Sequence, residues 1–268
     1  MQNFRTTRIA PGVYSILDAG DSSFYVVEGE EKAAVIDTGI TPGGKILPLI
    51  RTLTDKPLLL VITHAHIDHM HHMDEFDEIY LCHDELNMPA AMLENMKAGK
   101  NLDLENTIGV RTGSVIDLGG DSLEICQVPG HTPGSIVVLE KKHNKLFTGD
   151  AIGSGYGVWM QVPGAVPLET YRDSLIFMMK WLVDRGGRME FWGGHSYQQF
   201  QSTLIPNYNP LSMGLLADLI DLVDKVVGGE IVGRPSSADK IMSLEPGKYA
   251  SFGRAEMQYM PSNIKNPQ

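Results

Sequence analysis

Short apolar runs broken by Gly and acidic residues open the chain, and longer runs with helical spacing follow in its second half. Residues 12–16, 23–27 and 33–37 are rich in β-branched and aromatic side chains, which predicts a β-meander. Thr41, Pro42 and Gly43 then offer a capping residue and a first-turn proline for a helix reaching about Thr54, and residues 58–62 read as a buried strand. Asp84 is placed to cap a helix from Glu85 to Lys97, with Gly99 as its stop. Residues 123–128 and 135–139 return to strand composition. In 167–185, Tyr171, Leu175, Met178, Met179 and Leu182 recur at helical spacing before Gly186 and Gly187, and a second such helix spans 211–227, ended by Gly228 and Gly229. A short strand pair around Phe252, Gly253 and Arg254 and a frayed tail complete a mixed α and β pattern.

Composition narrows the class. With 268 residues, 43% hydrophobic and 21% charged, the chain falls among globular proteins. No Ser/Gly/Pro-rich linker or block of like charge interrupts it, so the expectation is one domain over 1–268, with 200–268 as a helix-and-strand extension. A net charge of -11 repels phosphate backbones and anionic lipid, which argues against nucleic acid as a partner. The amino-terminal residues are polar and no apolar run reaches membrane-spanning length, so no membrane association is expected. Cys82 and Cys126 stand far apart in no metal-like or redox spacing, a usage that fits a reducing cytoplasm.

The candidate chemistry is concentrated after the run 58–62. His64, His66, Asp68 and His69 fill four of six consecutive positions where a strand empties into a loop. Imidazole and carboxylate are ligands for borderline divalent metals, and alternate residues of a tight loop can serve two neighbouring ions. His131, Asp150 and His195 share that address: each follows an apolar run and a Gly, and Gly lets the backbone crowd close to an ion. Together they make seven candidate ligands.

These segments, 63–69, 129–135, 148–150 and 194–195, resemble in order and spacing the metallo-β-lactamase superfamily, in its glyoxalase II-like branch, and residues 35–39 match as well. The resemblance runs from about residue 12 to about residue 200. It implies a four-layer αββα sandwich with a metal site at one edge between the sheets. It implies that His64, His66 and His131 hold one ion, that Asp68, His69 and His195 hold the second, and that Asp150 bridges them, with Asp37 behind the site orienting a ligand. Two Zn2+ ions are the implied cofactors, though an all-nitrogen-and-oxygen site also accepts iron or manganese. Two ions about 3.5–4 Å apart acidify a shared water and polarise a carbonyl, so hydrolysis needs no Ser or Cys nucleophile. The expected activity is therefore cleavage of a small-molecule ester, thioester, lactone or amide, with Asp68 also holding the nucleophile by a hydrogen bond.

Two departures bear on the substrate. Met70, His71, His72 and Met73 stand where that branch commonly has Gly one residue after the Asp-His pair, which predicts a modified pocket wall and weakens a glutathione-thioester reading. The glycine-punctuated loop after Asp150 holds Tyr156, a candidate donor to a tetrahedral oxyanion, and Trp159 and Met160, a candidate apolar wall. Arg234, Lys240, Lys248 and Arg254 could cover the site or build a homodimer contact. The chief alternative is a mononuclear-iron persulfide dioxygenase using His64, His131 and Asp150. An RNA nuclease is disfavoured by charge, and a non-catalytic metal-binding protein by the complete ligand set.

Overall fold

Side-chain parity along the strands explains how the chain layers. In the computed structural model, residues 4–41, 44–153, 157–195, 211–236, 243 and 245–267 are described. The first sheet takes its seven strands in chain order: β1 (Phe4–Ala10), β2 (Val13–Asp18), β3 (Ser23–Glu28), β4 (Ala33–Ile36), β5 (Leu58–Val61), β6 (Ile79–Leu81) and β7 (Ile108–Gly109). It is antiparallel up to β4 and parallel from there on. The second sheet holds β8 (Val115–Asp117), β9 (Ser122–Gln127), β10 (Ile136–Glu140) and β11 (Lys145–Gly149). The chain then leaves it for β12 (Val158–Met160) and returns through β13 (Glu190–Gly193), which lies parallel to β11.

Val13, Tyr25, Val27, Ile36 and Val61 face Ile125, Ile136, Val138 and Phe147 across the space between the two sheets. Their neighbours of opposite parity, Phe24, Val26, Val35, Leu60 and Ile62, pack outward under α1 (Leu47–Ile50), α2 (Ile67–Met70) and α3 (Ala90–Met96). On the far side, Cys126, Val137, Leu139, Leu146 and Phe191 pack against α4 (Leu168–Asp184) and α5 (Met213–Val227). The result is the expected αββα sandwich. Burying each Val, Leu or Ile contributes about 1.5–3 kcal/mol, so strands buried on both faces are the strongest local commitment the sequence makes.

The long helices follow the sequence pattern. Leu168, Tyr171, Leu175, Met178 and Leu182 form the buried face of α4, and the Gly187 amide closes onto the Leu182 carbonyl at 2.9 Å, with φ of +94° and +62° at Gly186 and Gly187. Ser212 caps α5 by accepting the Leu215 amide.

The two earlier helices differ from expectation, each because of a proline. Instead of running from Thr41 to Thr54, α1 covers only Leu47–Ile50. Pro48 fits a helix only in its first turn, so the helix cannot begin earlier. Its cap comes from Glu75, whose carboxylate accepts the Ile46 and Leu47 amides at 3.1 Å each. Pro42 and Gly43 lie outside the described residues. The helix expected over 85–97 is split into a 3-10 turn, His83–Asn87, and α3. Pro89 forces Met88 into extended backbone, with ψ of 149°.

Several strands were not expected: besides β6, β7 and β8, they include β1 and β12. β1 is an edge strand built on the polar amino-terminal residues, pairing with β2. β12 pairs in parallel with β16 (Ala255–Tyr259), which forms a hairpin with β15 (Lys248–Phe252) and, through it, joins β14 (Arg234–Pro235). The carboxy-terminal hairpin thus holds the segment that follows the candidate metal loop. Among the described residues, no helix is long and apolar enough to cross a membrane.

Candidate metal centre

All seven candidate ligands arrive at one edge of the sandwich, each from the end of a strand. His64 and His66 sit in the extended stretch after β5, and Asp68 and His69 in the single turn of α2. His131 follows β9, Asp150 follows β11, and His195 follows β13. Three groups of donor atoms lie within 4.8 Å of one another: His64, His66 and His131; His64, His69 and Asp150; Asp68, His69 and His195. Asp150 lies between the sets. Its carboxylate is 4.0 Å from His64 Nε2, 3.6 Å from His131 Nε2, 3.8 Å from His69 Nε2 and 3.4 Å from His195 Nε2.

Hydrogen bonds from outside aim four of the imidazoles. His69 Nδ1 donates to Asp37 Oδ2 at 2.9 Å, His131 Nδ1 to the Trp159 carbonyl at 2.7 Å, and His195 Nδ1 to the Asp21 carbonyl at 3.2 Å. Thr63 Oγ1 donates to Asp37 Oδ2 at 2.7 Å and so faces His64 Nδ1, 3.1 Å away, as an acceptor. Assigned from these partners, each ring in its neutral form keeps its proton on Nδ1 and directs Nε2 inward, free to act as a donor to a cation. Asp37 also accepts the Thr63 amide at 2.7 Å, so one buried carboxylate braces both ends of the ligand loop.

The donor set fits a divalent cation. His66 Nδ1 stands 3.1 Å from His64 Nε2 and 2.8 Å from His131 Nε2. It can carry at most one proton, so these three nitrogens cannot satisfy one another. His69 Nε2 and Asp150 Oδ1 are buried without a hydrogen-bond partner, a cost that a cation between them removes.

Charge divides the cluster. Burial, with the His69 and His66 imidazoles, holds His64 well below the usual histidine range, burial and His131 hold His66 down at about 3, and burial lowers His131. His69 goes the other way: burial opposes its charge, but Asp68 and Asp37 outweigh it and raise it well above the usual range. Burial likewise opposes a charged His195, which Asp150 nonetheless pushes up to about 10. Against burial, His69 and His195 hold the carboxyls of Asp68 and Asp150 well below the ordinary range. The three-histidine half is therefore neutral, and the half with Asp68 and Asp150 is ionised, two distinct environments side by side.

Gly194 is required by this crowding, because a Cβ there would lie 2.4 Å from Asp150 Oδ1 and 2.7 Å from His69 Cε1. Several supporting residues had no sequence signal. Ser22 Oγ donates to Asp68 Oδ2 at 3.4 Å. Glu85 is fully buried under the ligand loops, accepts the Thr132 hydroxyl, and is pushed by burial up to about 7. His72 is structural: it spans the Glu75 carboxylate at 2.9 Å and the Thr41 carbonyl at 3.2 Å, while its amide donates to Thr38. No contact places His71 among the ligands; its carbonyl accepts Lys100. Met160 is a core residue behind the site, so the apolar wall expected from it lies elsewhere. Tyr156 lies outside the described residues, as does Lys240. Arg234 stacks 4.5 Å from the Tyr249 ring centre, and Arg254 pairs with Asp218 at 3.4 Å, so both are engaged within the chain.

Comparison with known proteins agrees with this geometry. Residues 17–184 match the family described as the metallo-beta-lactamase superfamily. The acyl-coenzyme A thioesterase MBLAC2 of Bos taurus is 28% identical over 174 residues, covering 50% of this chain and 59% of that protein. The hydroxyacylglutathione hydrolase GloC of Haemophilus influenzae is 31% identical over 141 residues, covering 48% and 65%. The chain thus spans about three-fifths of the length of these relatives. A solved metallo-beta-lactamase from Pontibacter korlensis superposes with a TM-score of 0.57 at 20% identity, covering 82% of this chain and 99% of that one, a likeness of fold. With the family match covering more than half its length and the sandwich in place, the chain belongs to the metallo-beta-lactamase superfamily.

Proposed function

We propose that this protein is a metal-dependent hydrolase that cleaves a small-molecule carboxylic ester or thioester, with two ions, Zn2+ by donor chemistry, at the edge of the sandwich. The observation that carries this reading is the set of inward Nε2 atoms on His64, His69, His131 and His195 around the ionised Asp150, two of its atoms orphaned without a cation. On this reading His64, His66 and His131 would hold one ion, Asp68, His69 and His195 the other, and Asp150 would contribute to both. When bound, such a pair supplies Lewis acidity and lowers the pKa of water.

The chain's own residues set the rest. Asp68, half-exposed at the open edge and ionised, accepts a hydrogen bond from an attacking water and orients it. Asp37 and Thr63 keep the imidazole tautomers fixed, so the donors need not reorganise during turnover. Tyr156 remains the candidate oxyanion donor from the loop after Asp150. The names of the bovine and Haemophilus relatives, an acyl-coenzyme A thioesterase and a hydroxyacylglutathione hydrolase, favour an activated carboxyl derivative over an amide. A single domain over the whole chain is part of this reading, supported by the pairing of β12 with β16 and the packing of α5 on α4. So is a reducing, cytoplasmic setting, in keeping with the buried thiols of Cys82 and Cys126.

The test is metal analysis of purified protein with a turnover screen of thioesters, esters, lactones and β-lactams. The expected result is two equivalents of metal and hydrolysis that chelator abolishes. One equivalent of iron with oxygen consumption on a persulfide would overturn the proposal.

A further inference from the structure

Beside the metal edge, the chain encloses a cavity of about 550 Å3 that the ligand geometry does not explain. Its size falls within the range of small-molecule pockets, roughly 300–1,000 Å3. At one end it is walled by His66, Ile67 and Asp68, so it opens directly onto two of the three candidate ligands that remain partly exposed. The rest is almost wholly apolar. Met92 and Met96 of α3 line one side, and Val162 and Pro163 line the other. Met88, Met92 and Met96 recur every four residues, and a Cβ on Gly164 would lie 2.9 Å from Met88 Sδ and 3.0 Å from Met92 Sδ. The methionine row therefore leans over the turn that carries Val162 and Pro163. None of the residues of α3 is fully buried: Met92 and Met96 rest against the outer core and also present surface to the cavity.

From this juxtaposition we infer that the cavity holds a flexible aliphatic chain attached to the scissile ester or thioester, making the substrate an acyl or alkyl derivative of several carbons. The inference rests on the hydrolase reading for the scissile group and on the cavity itself for the chain. Unbranched thioethers adapt their rotamers to a ligand of variable shape and length, and among the described lining residues no aromatic side chain offers a flat surface to a ring. Among the described lining residues the one carboxylate is Asp68 at the mouth, with His66 beside it, where the reacting carbonyl would stand. A chain threaded from that point removes apolar surface from water along its whole length. The methionine spacing is visible in the sequence, but it matches a helix's own buried face equally well, and only its position over the Val162–Pro163 turn separates the two.

The experiment compares linear substrates and ligands in the metal-loaded full chain. Acetyl, butanoyl, hexanoyl and octanoyl thioesters of one thiol, and acetyl esters of alcohols of matching length, are assayed for kcat/KM. Acetate, hexanoate and decanoate are titrated by calorimetry as ligands that are not turned over. Full burial corresponds to about fourfold per methylene, so at least about tenfold between acetyl and hexanoyl is expected in one of the two series. Hexanoate and decanoate should bind progressively more tightly than acetate. In Met92→Glu the octanoyl-to-acetyl ratio should collapse towards one, while Met92→Leu keeps it; each ratio is internal to one variant and is unaffected by partial loss of metal or fold.

The two ideas fail separately. Chain-length-dependent binding of the carboxylates without turnover of any ester would remove the hydrolase reading and leave the cavity assignment standing. Flat binding and flat kcat/KM in both series, or a Met92→Glu variant that keeps the wild-type ratio, would overturn the cavity assignment.

Discussion

Replacing Asp37 by Asn should weaken the binding of one ion about 10- to 100-fold, equal to about 1.4–2.7 kcal/mol, while leaving the fold in place. Asp37 is buried and accepts three hydrogen bonds, from the Thr63 amide and hydroxyl at 2.7 Å each and from His69 Nδ1 at 2.9 Å. Its φ of +61° is tolerated by Asn, so backbone strain does not confuse the comparison. The Asn amide offers one acceptor oxygen, which the Thr63 amide claims, and turns its NH2 towards Thr63 Oγ1 and His69 Nδ1. An NH2 cannot accept the His69 proton. His69 relieves the clash by moving that proton to Nε2, the atom aimed at Asp68 and Asp150, and its inward lone pair is lost. Losing a charge-assisted bond also costs the metal-free protein about 1.5–3 kcal/mol. The assay is competition with a chromophoric chelator at pH 7.5, resolving the two ions, alongside urea unfolding of the metal-free protein. The ion on the His69 and His195 side should be lost first and the His64, His66 and His131 side largely retained. Wild-type affinity for both ions in a folded Asp37→Asn protein would refute the argument that Asp37 sets the tautomer.

Two further perturbations probe crowding and charge. Gly194→Ala should reduce metal stoichiometry by at least one equivalent, since the new methyl cannot share space with Asp150 Oδ1 and His69 Cε1; elemental analysis showing two full equivalents would contradict it. The metal-free protein should lose stability as pH falls from about 6.5 towards 3. Over that window the unfolded chain takes up a proton on His66 that burial denies the folded chain until about 3, a contribution of about 1.4 kcal/mol per pH unit. His66→Gln removes that term, so its stability, read from urea unfolding at pH 6.5, 5.5 and 4.5, should fall less steeply than the wild type's, and equal slopes would count against the burial argument.

Much of this was legible locally. Residues 58–62 and 136–139 are apolar without interruption because both faces of their strands are covered, and the Gly before His131, Asp150 and His195 marks where strands end. The errors were also physical. Pro48 and Pro89 each moved a helix boundary, and the cap on α1 comes from Glu75, more than two dozen residues downstream. His72, expected to reshape the pocket wall, is a strut between Glu75 and Thr41.

Taken alone, the sequence determined which residues could serve as ligands and which segments become strands, because donor chemistry and the alternation of apolar side chains are properties of neighbouring positions. It could not determine what those ligands face. His64, His131, Asp150 and His195 meet only because two sheets stack with their strand ends at one edge. The orientation of the rings depends on the neighbouring Thr63 for His64 and, for the other three, on Asp37, Trp159 and Asp21, which lie 28 to 174 residues away. Whether Met92 and Met96 serve as core or as pocket wall was likewise decided by packing, since helical spacing fixes which residues share a face but not what lies opposite it.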